Sequence, residues 1–493
     1  MRLFLTLLVL FGFMACTKQI HEELKVQVIQ TSASGDKLAE LPSVKDVESP
    51  SNTIEVLPSI QFQSIEGIGG AFTESSAFLL SGMSQEKRNE ILSAYFSPEG
   101  ANYSFTRTHM NSCDFSLDHY SYAPIAGDTN LDSFSIEHDL NDLIPMIKGA
   151  QSYSEEGFKI LASPWTAPPW MKDNNDWFGG KLKKEHYSTW AKFFSKYVGA
   201  YKEQGINIWG FTVENEPLGN DANWESMHYT PEETAEFLKG YLAPQLAKDN
   251  IEAKILVFDQ NRGKDLEEWS QALLTDQELL PLIHGTAVHW YASTFDWFPE
   301  NLQQTHNLAP EKHIIQTEGC VDSEIPHWND DQWYWSKEAT DWGWEWASEE
   351  DKPMHPKYVP AFRYARDIIG CLNNWVEGWI DWNMVLDRQG GPNLAQNWCV
   401  APVIVDVEKD EVYYTPLYYV MAQFSKYARP GAKRIDFKCS DESLMTSALL
   451  NPDGTIALFV LNMESEPKQF VVKKGSKTRQ VRIEGCALQT III

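Results

Sequence analysis

Eight short segments rich in β-branched and aromatic residues alternate with amphipathic helical patterns along the chain. The strand-like segments are residues 66–72, 103–109, 159–163, 208–213, 254–258, 286–290, 313–317 and 378–382. The helical patterns include residues 84–96, 136–152, 187–204, 231–248 and 359–376. One of these helices has a complete start signal, because Thr230 precedes Pro231 and Glu233 completes a capping box. Strand and helix alternating eight times predict an α/β fold, a (β/α)8 TIM barrel of parallel strands.

The chain ends have a different pattern from the barrel. From about residue 429 onward, short alternating segments such as IALFVLNM and QFVVKK are separated by NPDG and KKGSK turns, which indicates antiparallel β-structure. Residues 54–65, before the first barrel strand, alternate in the same way. We therefore expect a β-sandwich built from both chain ends, residues 52–65 and 429–493, attached to a barrel domain of residues 66–428.

The N-terminus has the anatomy of an export signal. Residues 1–15 contain Arg2, an apolar run over 3–14 and a small alanine before Cys16. The apolar run is shorter than the roughly 20 residues that span a bilayer. A cysteine in this place is typical of a bacterial lipobox, so we expect removal of residues 1–15 and lipid attachment at Cys16, with a plain signal peptide as the alternative. The polar residues 16–51 then predict a tether for an exported lipoprotein of the cell envelope, with membrane contact only through the lipid anchor.

Composition narrows the partners. The chain carries 41 basic and 69 acidic side chains, a net charge of −28, and no Lys/Arg-rich block. Such a surface repels phosphate backbones, which excludes nucleic acid as a partner. No HExxH motif, Cys/His cluster or phosphate-binding glycine loop occurs, so we expect no metal and no cofactor. The 19 Trp, 19 Tyr and 24 Phe residues favour a carbohydrate partner, because aromatic rings suit flat, amphipathic sugars.

The cysteines do not determine the redox state of the protein. Apart from Cys16 they are Cys113, Cys320, Cys371, Cys399, Cys439 and Cys486, with no CxxC pair. We expect most of them to be buried thiols. Their pairing stays open, since six cysteines allow 15 pairings.

Polar and aromatic side chains collect where the predicted strands end, which is the face on which TIM barrels carry their active sites. The candidates are Arg107, Asp114, Trp165, Asn215, Glu216, His289, Tyr291, Glu318, Trp382 and Asn393. Each of them alone is compatible with a structural role, such as a helix cap, a core aromatic residue or a buried ion pair. Their coincidence at one end of most strands favours a functional site, because core residues alternate along a strand and need not cluster at its end.

Two of these candidates are carboxylates at the ends of strands four and seven. Glycoside hydrolysis needs one carboxylic acid to protonate the leaving oxygen and a second carboxylate on the other side of the anomeric carbon. Across a barrel mouth, Glu216 and Glu318 can approach to about 5 Å, the separation of retaining enzymes. Asn215 is then placed to donate to the sugar 2-hydroxyl. The alternative is two loop carboxylates in surface ion pairs.

Seven motifs carry a family resemblance. GIGGAFTESSA, SCDFS, LASPWTAPPWMK, TVENEP, VHWY, TEGC and GWIDWNM…GGPN resemble, in the same order, the motifs of glycoside hydrolase family 30 over about residues 66–426. The resemblance implies a barrel with a β-sandwich from both termini, with Glu216 as catalytic acid/base and Glu318 as nucleophile. It also implies glucose contacts by Asp114, Trp165, Asn215 and Trp382, with Arg107, His289, Tyr291 and Asn393 around the pocket.

The substrate is the least constrained expectation. The family holds glucosylceramidases, β-1,6-glucanases and some β-xylosidases, and the resemblance implies a retaining double displacement. We expect hydrolysis of β-1,6-glucan or β-1,6-linked gluco-oligosaccharides, because an exported bacterial lipoprotein meets polysaccharide more often than ceramide. A glucosylceramidase or β-xylosidase is the alternative, and a non-catalytic glycan-binding lipoprotein is a remote one. Six tryptophans in residues 322–357 suggest either a stacking platform or wall for the cleft, or simple loop packing.

Overall fold

The computed structural model describes residues 23–42, 52–293, 296–322, 359–397 and 399–493. The expected export signal, the lipidation at Cys16 and the six tryptophans of residues 322–357 lie outside the described residues. Within the described ranges, no helix is both long enough and apolar enough to cross a membrane.

Eight parallel strands close into a barrel, and each lies within a few residues of a predicted segment. They are β1 (Gly67–Phe72), β2 (Phe105–Met110), β3 (Lys159–Pro164), β4 (Gly210–Thr212), β5 (Lys254–Asn261), β6 (Gly285–His289), β7 (His313–Glu318) and β8 (Val376–Asp381). Neighbours along the chain pair with each other, and β8 pairs with β1 to close the cylinder. The predicted TIM barrel is confirmed.

The helices pack around the outside of this barrel. They are α1 (Glu74–Gly82), α2 (Gln85–Phe96), α3 (Leu143–Tyr153), α4 (Tyr187–Glu203), α5 (Pro231–Phe237), α6 (Ala243–Lys248), α7 (Lys264–Leu273), α8 (Pro299–Leu308), α9 (Val359–Asn373) and α10 (Pro416–Tyr427). The predicted capping box is present, since Glu233 N donates to Thr230 Oγ1 (3.2 Å) and Thr230 N donates to Glu233 Oε2 (2.9 Å). The single helix predicted for residues 231–248 is divided by a π-helical turn at Leu238–Leu242.

Strand alternation inside the barrel positions the site. The barrel interior has an apolar layer of Phe105, Leu161, Leu256, Ala287, Ile315 and Ile380. Because side chains on one face of a strand recur every second residue, Arg107 on β2 enters the same interior one level nearer the strand ends. Its hydrogen bonds to side chains of other barrel segments begin at this level. The polar site therefore rests directly on the apolar layer.

The second domain is a β-sandwich, as predicted. Its strands follow the order Ala39–Leu41, Gln27–Ser32, Ala487–Ile492, Ile456–Asn462, Leu444–Leu450, Lys433–Cys439, Thr53–Ser64, Lys468–Lys474 and Lys477–Ile483. Strands from both ends of this order share one apolar core, which includes Val28, Leu458, Ile54 and Phe470. Both chain ends contribute to it, since Thr53–Ser64 pairs with Lys433–Cys439.

One boundary prediction is wrong. Residues 27–41 are not part of a polar tether, because Gln27–Ser32 pairs antiparallel with Ala487–Ile492 and Ala39–Leu41 pairs on its outer edge. Val28 and Ile29 are buried, and the added strand covers the otherwise open edge of the last strand. The polar composition of residues 16–51 hid this short apolar pattern.

Two short ladders lie near the barrel mouth. Val385–Asp387, Val403–Asp406 and Glu411–Tyr414 form a three-stranded sheet. Val321–Asp322, directly after β7, pairs antiparallel with Cys399–Val400. The second ladder joins the chain after β7 to the chain that follows β8.

Candidate active site

Two carboxylates from separate strands meet above the barrel interior. Glu318 is the last residue of β7, and Glu216 lies in the loop after β4 with a positive φ of 47°. The Glu216 amide donates to Asp259 O (2.9 Å), which ties this loop to β5. One oxygen of each carboxylate and one ring nitrogen of His289 lie within 4.8 Å of one another. The two carboxylates are therefore close neighbours in the folded chain.

Arg107 lies beneath the two carboxylates and links several residues of the site by hydrogen bonds. Its side chain is fully buried, and its Nη1 donates to Glu318 Oε2. Its Nη2 donates to Asn215 Oδ1 and to Asp259 Oδ2, both at 2.8 Å. Tyr291 donates to the second oxygen, Glu318 Oε1, at 2.9 Å. Glu318 is therefore held at both oxygens, and the pair of Arg107 and Asp259 is fully desolvated.

His289 bridges two carboxylates. Its Nδ1 lies 3.0 Å from Glu216 Oε1 and its Nε2 lies 3.0 Å from Asp259 Oδ1. Burial alone would lower the pKa of His289, but the negative charges of Glu318 and Asp259 outweigh it and raise the pKa to about 9. With a carboxylate at each nitrogen, the ring donates twice as an imidazolium.

The other buried carboxyl groups differ in the direction of their pKa shifts, because they have different charged partners. Burial would raise the pKa of Asp259, but the charges of Arg107 and His289 hold it far below its usual value. Burial raises the pKa of the Glu318 carboxyl, with His289 and Arg107 opposing and Glu216 adding to the rise. Burial also raises the pKa of Asp114, whose neighbours are acidic. Asp259 is thus the permanent anion of this network.

The bridging histidine predicts a pH-dependent stability. The folded pKa of His289, about 9, lies above the unfolded value of about 6.5. Its contribution is therefore fully present below pH 6.5 and is lost as the pH rises through 9, a loss of about 3 kcal/mol. We expect the melting temperature of the wild type to exceed that of His289→Gln most at pH 6, and this difference to narrow by pH 10. A difference that is constant with pH would contradict a charged His289.

A cavity of about 240 Å³ opens above the two carboxylates. It is lined by Asp114, Trp165, Asn215, Glu216, Trp224, Asn261, Tyr291, Glu318, Trp382 and Asn397. The rings of Trp165 and Trp382 stack with centroids 5.2 Å apart, and both are buried. Among the described residues, neither Asp114 Oδ1 nor Trp382 Nε1 has a hydrogen-bond partner. The wall therefore offers one acceptor and one donor to a polar ligand.

Most of the predicted site residues converge on this cavity. Seven line it, namely Asp114, Trp165, Asn215, Glu216, Tyr291, Glu318 and Trp382. Arg107 and His289 lie beneath it and act on the carboxylates. Asn393 is not among the lining residues, whereas Asn397, four residues further along the chain, is. Asn393 instead holds the turn, because its Oδ1 accepts from Asn397 N (3.0 Å), while Asn397 Nδ2 reaches Asp114 Oδ2 (3.4 Å).

Sequence reasoning missed Asp259, Asn261, Trp224 and Asn397. The first two follow the apolar run KILVF as the polar residues of DQN, so the strand-end rule applied to β5 would have found them. Trp224 and Asn397 lie in loops, where no periodicity reports the direction of a side chain.

A closed parallel barrel with two neighbouring carboxylates over its strand ends, in a cavity walled by tryptophan, defines a glycoside hydrolase. Matches to two known domain models identify the family within this class. Residues 65–428 match the glycosyl hydrolase family 30 TIM-barrel domain, and residues 431–491 match the glycosyl hydrolase family 30 beta sandwich domain. The chain belongs to glycoside hydrolase family 30.

Three individual proteins illustrate what this chain is similar to. The lysosomal acid glucosylceramidase of Mus musculus is 34% identical over 454 residues, covering 90% of this chain and 81% of that protein. The structure of SrfJ from Salmonella typhimurium has a TM-score of 0.84 at 31% identity, covering 95% of this chain and 99% of that chain. The endo-β1,6-glucanase BT3312 has a TM-score of 0.80 at 26% identity, again covering 95% and 99%.

Proposed function

We propose that this protein is a retaining β-glucosidase that cleaves β-1,6-glucan or β-1,6-linked gluco-oligosaccharides by double displacement. The observation that carries the mechanism is the approach of the Glu216 and Glu318 oxygens to within 4.8 Å. Retaining enzymes hold their carboxyl groups about 5 Å apart, whereas inverting enzymes leave room for a water molecule.

In the first step, Glu318 attacks the anomeric carbon. The glycosidic C–O bond breaks, a glycosyl ester forms on Glu318, and the proton of Glu216 passes to the departing oxygen. Arg107 and Tyr291 hold the attacking carboxylate at both oxygens, which limits its motion before the reaction.

In the second step, a water molecule hydrolyses the glycosyl ester on Glu318. Glu216, now a carboxylate, takes a proton from a water molecule that attacks the anomeric carbon, and Glu318 leaves as a carboxylate. His289 Nδ1 lies 3.0 Å from Glu216 Oε1, a contact that holds this carboxyl group in its orientation during both steps. Two inversions return the sugar with its original β configuration.

Sugar recognition follows from the donors and acceptors of the wall. Arg107 can only donate, so Asn215 Oδ1 accepts its hydrogen bond and the Asn215 amide group is left to donate to the sugar 2-hydroxyl. Asp114 Oδ1 and Trp382 Nε1 supply an acceptor and a donor to further hydroxyls. A cavity of about 240 Å³ lies below the roughly 300–1,000 Å³ of drug-sized ligand sites and suits a single sugar unit.

Two similarities to other proteins bear on the aglycone, the group to which the cleaved sugar is attached in the substrate. The likeness to the endo-β1,6-glucanase BT3312 over 95% of the chain supports a β-1,6-glucan substrate. The 34% identity to the mouse glucosylceramidase favours the second candidate, a glucosylceramidase. The proposal also includes export and lipidation at Cys16, supported by the signal-like residues 1–15, which would bring the enzyme into contact with extracellular polysaccharide.

The substrate is tested by a product assay. Purified enzyme is incubated with β-1,6-glucan, gentiobiose, aryl β-glucoside, aryl β-xyloside and glucosylceramide, and products are separated by chromatography. We expect the highest kcat/KM on β-1,6-linked substrates and release of the β-anomer first, as read by NMR. A higher kcat/KM on glucosylceramide or on the xyloside would assign the enzyme to the alternative. Initial release of the α-anomer would contradict retention.

A further inference from the structure

Two cysteine sulfurs lie in contact beside the proposed nucleophile. Cys320 Sγ and Cys399 Sγ are 2.8 Å apart, and the two residues are only 2% and 1% exposed. The ladder between Val321–Asp322 and Cys399–Val400 pairs Cys399 with Asp322, two residues after Cys320, and so brings the two chain segments together. A disulfide has an S–S distance of about 2.05 Å, so the sulfurs need to move together by less than about 1 Å. We propose that Cys320 and Cys399 form a disulfide bond when the protein folds in an oxidising compartment.

The reaction is an ordinary thiol–disulfide exchange. Both thiols lose their protons, two electrons pass to the disulfide of a protein thiol oxidase, and that oxidant is released as a dithiol. The new S–S bond joins positions 79 residues apart in the chain. Because both sulfurs are buried in the folded protein, the bond forms while the chain folds and is then shielded from reductants.

The position of the bond gives it a role at the cavity. Cys320 follows Glu318 closely, and the Tyr291 hydroxyl that donates to Glu318 Oε1 lies 3.6 Å from Cys320 Sγ. Cys399 follows Asn397, whose amide reaches Asp114 on the cavity wall. The disulfide therefore ties the strand of the proposed nucleophile to the segment that completes the wall near Asp114. We expect it to keep the cavity in shape as well as to stabilise the fold.

Peptide mapping tests the bond directly. The full chain is exported to the periplasm of a bacterial host, and the cells are lysed in denaturant with N-ethylmaleimide, so that buried thiols are trapped as well. The protein is then digested without reductant. We expect one cross-linked pair of peptides carrying Cys320 and Cys399, which separates on reduction, and an alkylated Cys439 peptide as internal control. Alkylation of both Cys320 and Cys399, or pairing of either with another cysteine, would overturn the proposal.

Melting temperatures supply a second measurement. Treatment under denaturing and refolding conditions with a phosphine reductant should lower the melting temperature of the wild type by roughly 5 °C. Cys399→Ser should melt near the reduced wild type and ignore the reductant. Cys439→Ser, a matched control in the sandwich domain, should respond as the wild type does. A wild type that ignores the reductant would contradict a stabilising cross-link.

Kinetics separate the effect on the cavity from stability alone. This arm rests on the proposed hydrolysis, whereas the peptide map does not, so failure of the activity and failure of the cross-link are distinguished. With an aryl β-glucoside at 25 °C, we expect reduction to raise KM two- to fivefold and to change kcat less, in the wild type but not in Cys399→Ser. An unchanged KM in the reduced wild type would contradict the role at the cavity wall.

Discussion

Glu318→Gln is expected to lower kcat on aryl β-glucosides by about 10⁴-fold or more, equivalent to ~5 kcal/mol of transition-state stabilisation. A glutamine amide cannot attack the anomeric carbon to form the ester on which the first step depends. The fold should persist, because the amide oxygen still accepts from Arg107 and the amide nitrogen can donate to Tyr291. The measurement is kcat alongside a melting curve, with activity compared in the same preparation.

A matched control separates loss of the nucleophile from loss of a buried charge. Glu377 lies at the opposite end of the barrel, near the start of β8, and accepts a hydrogen bond from His313 Nδ1 (2.6 Å). Glu377→Gln should leave kcat within about twofold, since it is remote from the cavity. Near-normal turnover by Glu318→Gln would remove Glu318 from the proposed role.

Glu216→Ala should give the second largest effect, and one that depends on the leaving group. Unactivated oligosaccharides need protonation of the departing oxygen, so their kcat should fall by about 10³-fold, within the range typical of general acid catalysis. Dinitrophenyl β-glucoside leaves without a proton and should form the Glu318 ester at nearly the normal rate. Added azide should enter the space of the missing side chain, restore turnover and yield a β-glucosyl azide.

The product of this rescue identifies the role of Glu216. Azide attacks the ester from the face that water normally uses, so a β-linked azide locates Glu216 on that face. Glu236→Ala, on the outside of α5 in an exposed ion pair with Lys184, is the matched control and should show neither loss nor rescue. An α-linked azide, or equal loss with every leaving group, would contradict an acid/base role for Glu216.

Glu318→Gln and its control Glu377→Gln also test the electrostatic interaction between Glu318 and His289. The Glu318 charge is the largest cause that raises the pKa of this histidine against its burial. Glu318→Gln should therefore bring the pH-dependent loss of stability to lower pH than in the wild type. Glu377→Gln should leave that pH dependence unchanged, because Glu377 lies at the far end of the barrel.

The strand-end rule explains which site residues sequence could supply. Glu216 and Glu318 can be predicted because each lies at or just beyond the end of a strand-like run, and parallel strands of a closed barrel present all such ends on one face. Asp259 was open to the same rule, since it too ends an apolar run. The direction in which the Asp259 side chain points does not follow from that rule, because the register shifts between Phe258 and Gln260 and both Phe258 and Asp259 have positive φ. Such a bulge re-aims a side chain against simple alternation.

The N-terminal end of the chain contains a strand that the local sequence does not predict. The long alternation of residues 54–65 predicts a strand of the sandwich, whereas Gln27–Ser32 lies in a polar stretch whose composition predicts a tether. Pairing of Gln27–Ser32 with the open edge of Ala487–Ile492, more than 400 residues away, is what brings Val28 into the sandwich core. No local pattern encodes that pairing, because strand addition depends on which edge the rest of the fold leaves open.

Sequence alone determined the eightfold strand and helix order, the face that carries the site, and the two carboxylates. It did so because hydrophobic periodicity and strand ends are local properties of the chain. Tertiary structure decided the approach of those carboxylates to within 4.8 Å, the position of His289 between Glu216 and Asp259, and the contact of Cys320 with Cys399. These depend on barrel closure and loop packing, which bring distant residues within hydrogen-bonding distance and set their charges through mutual burial.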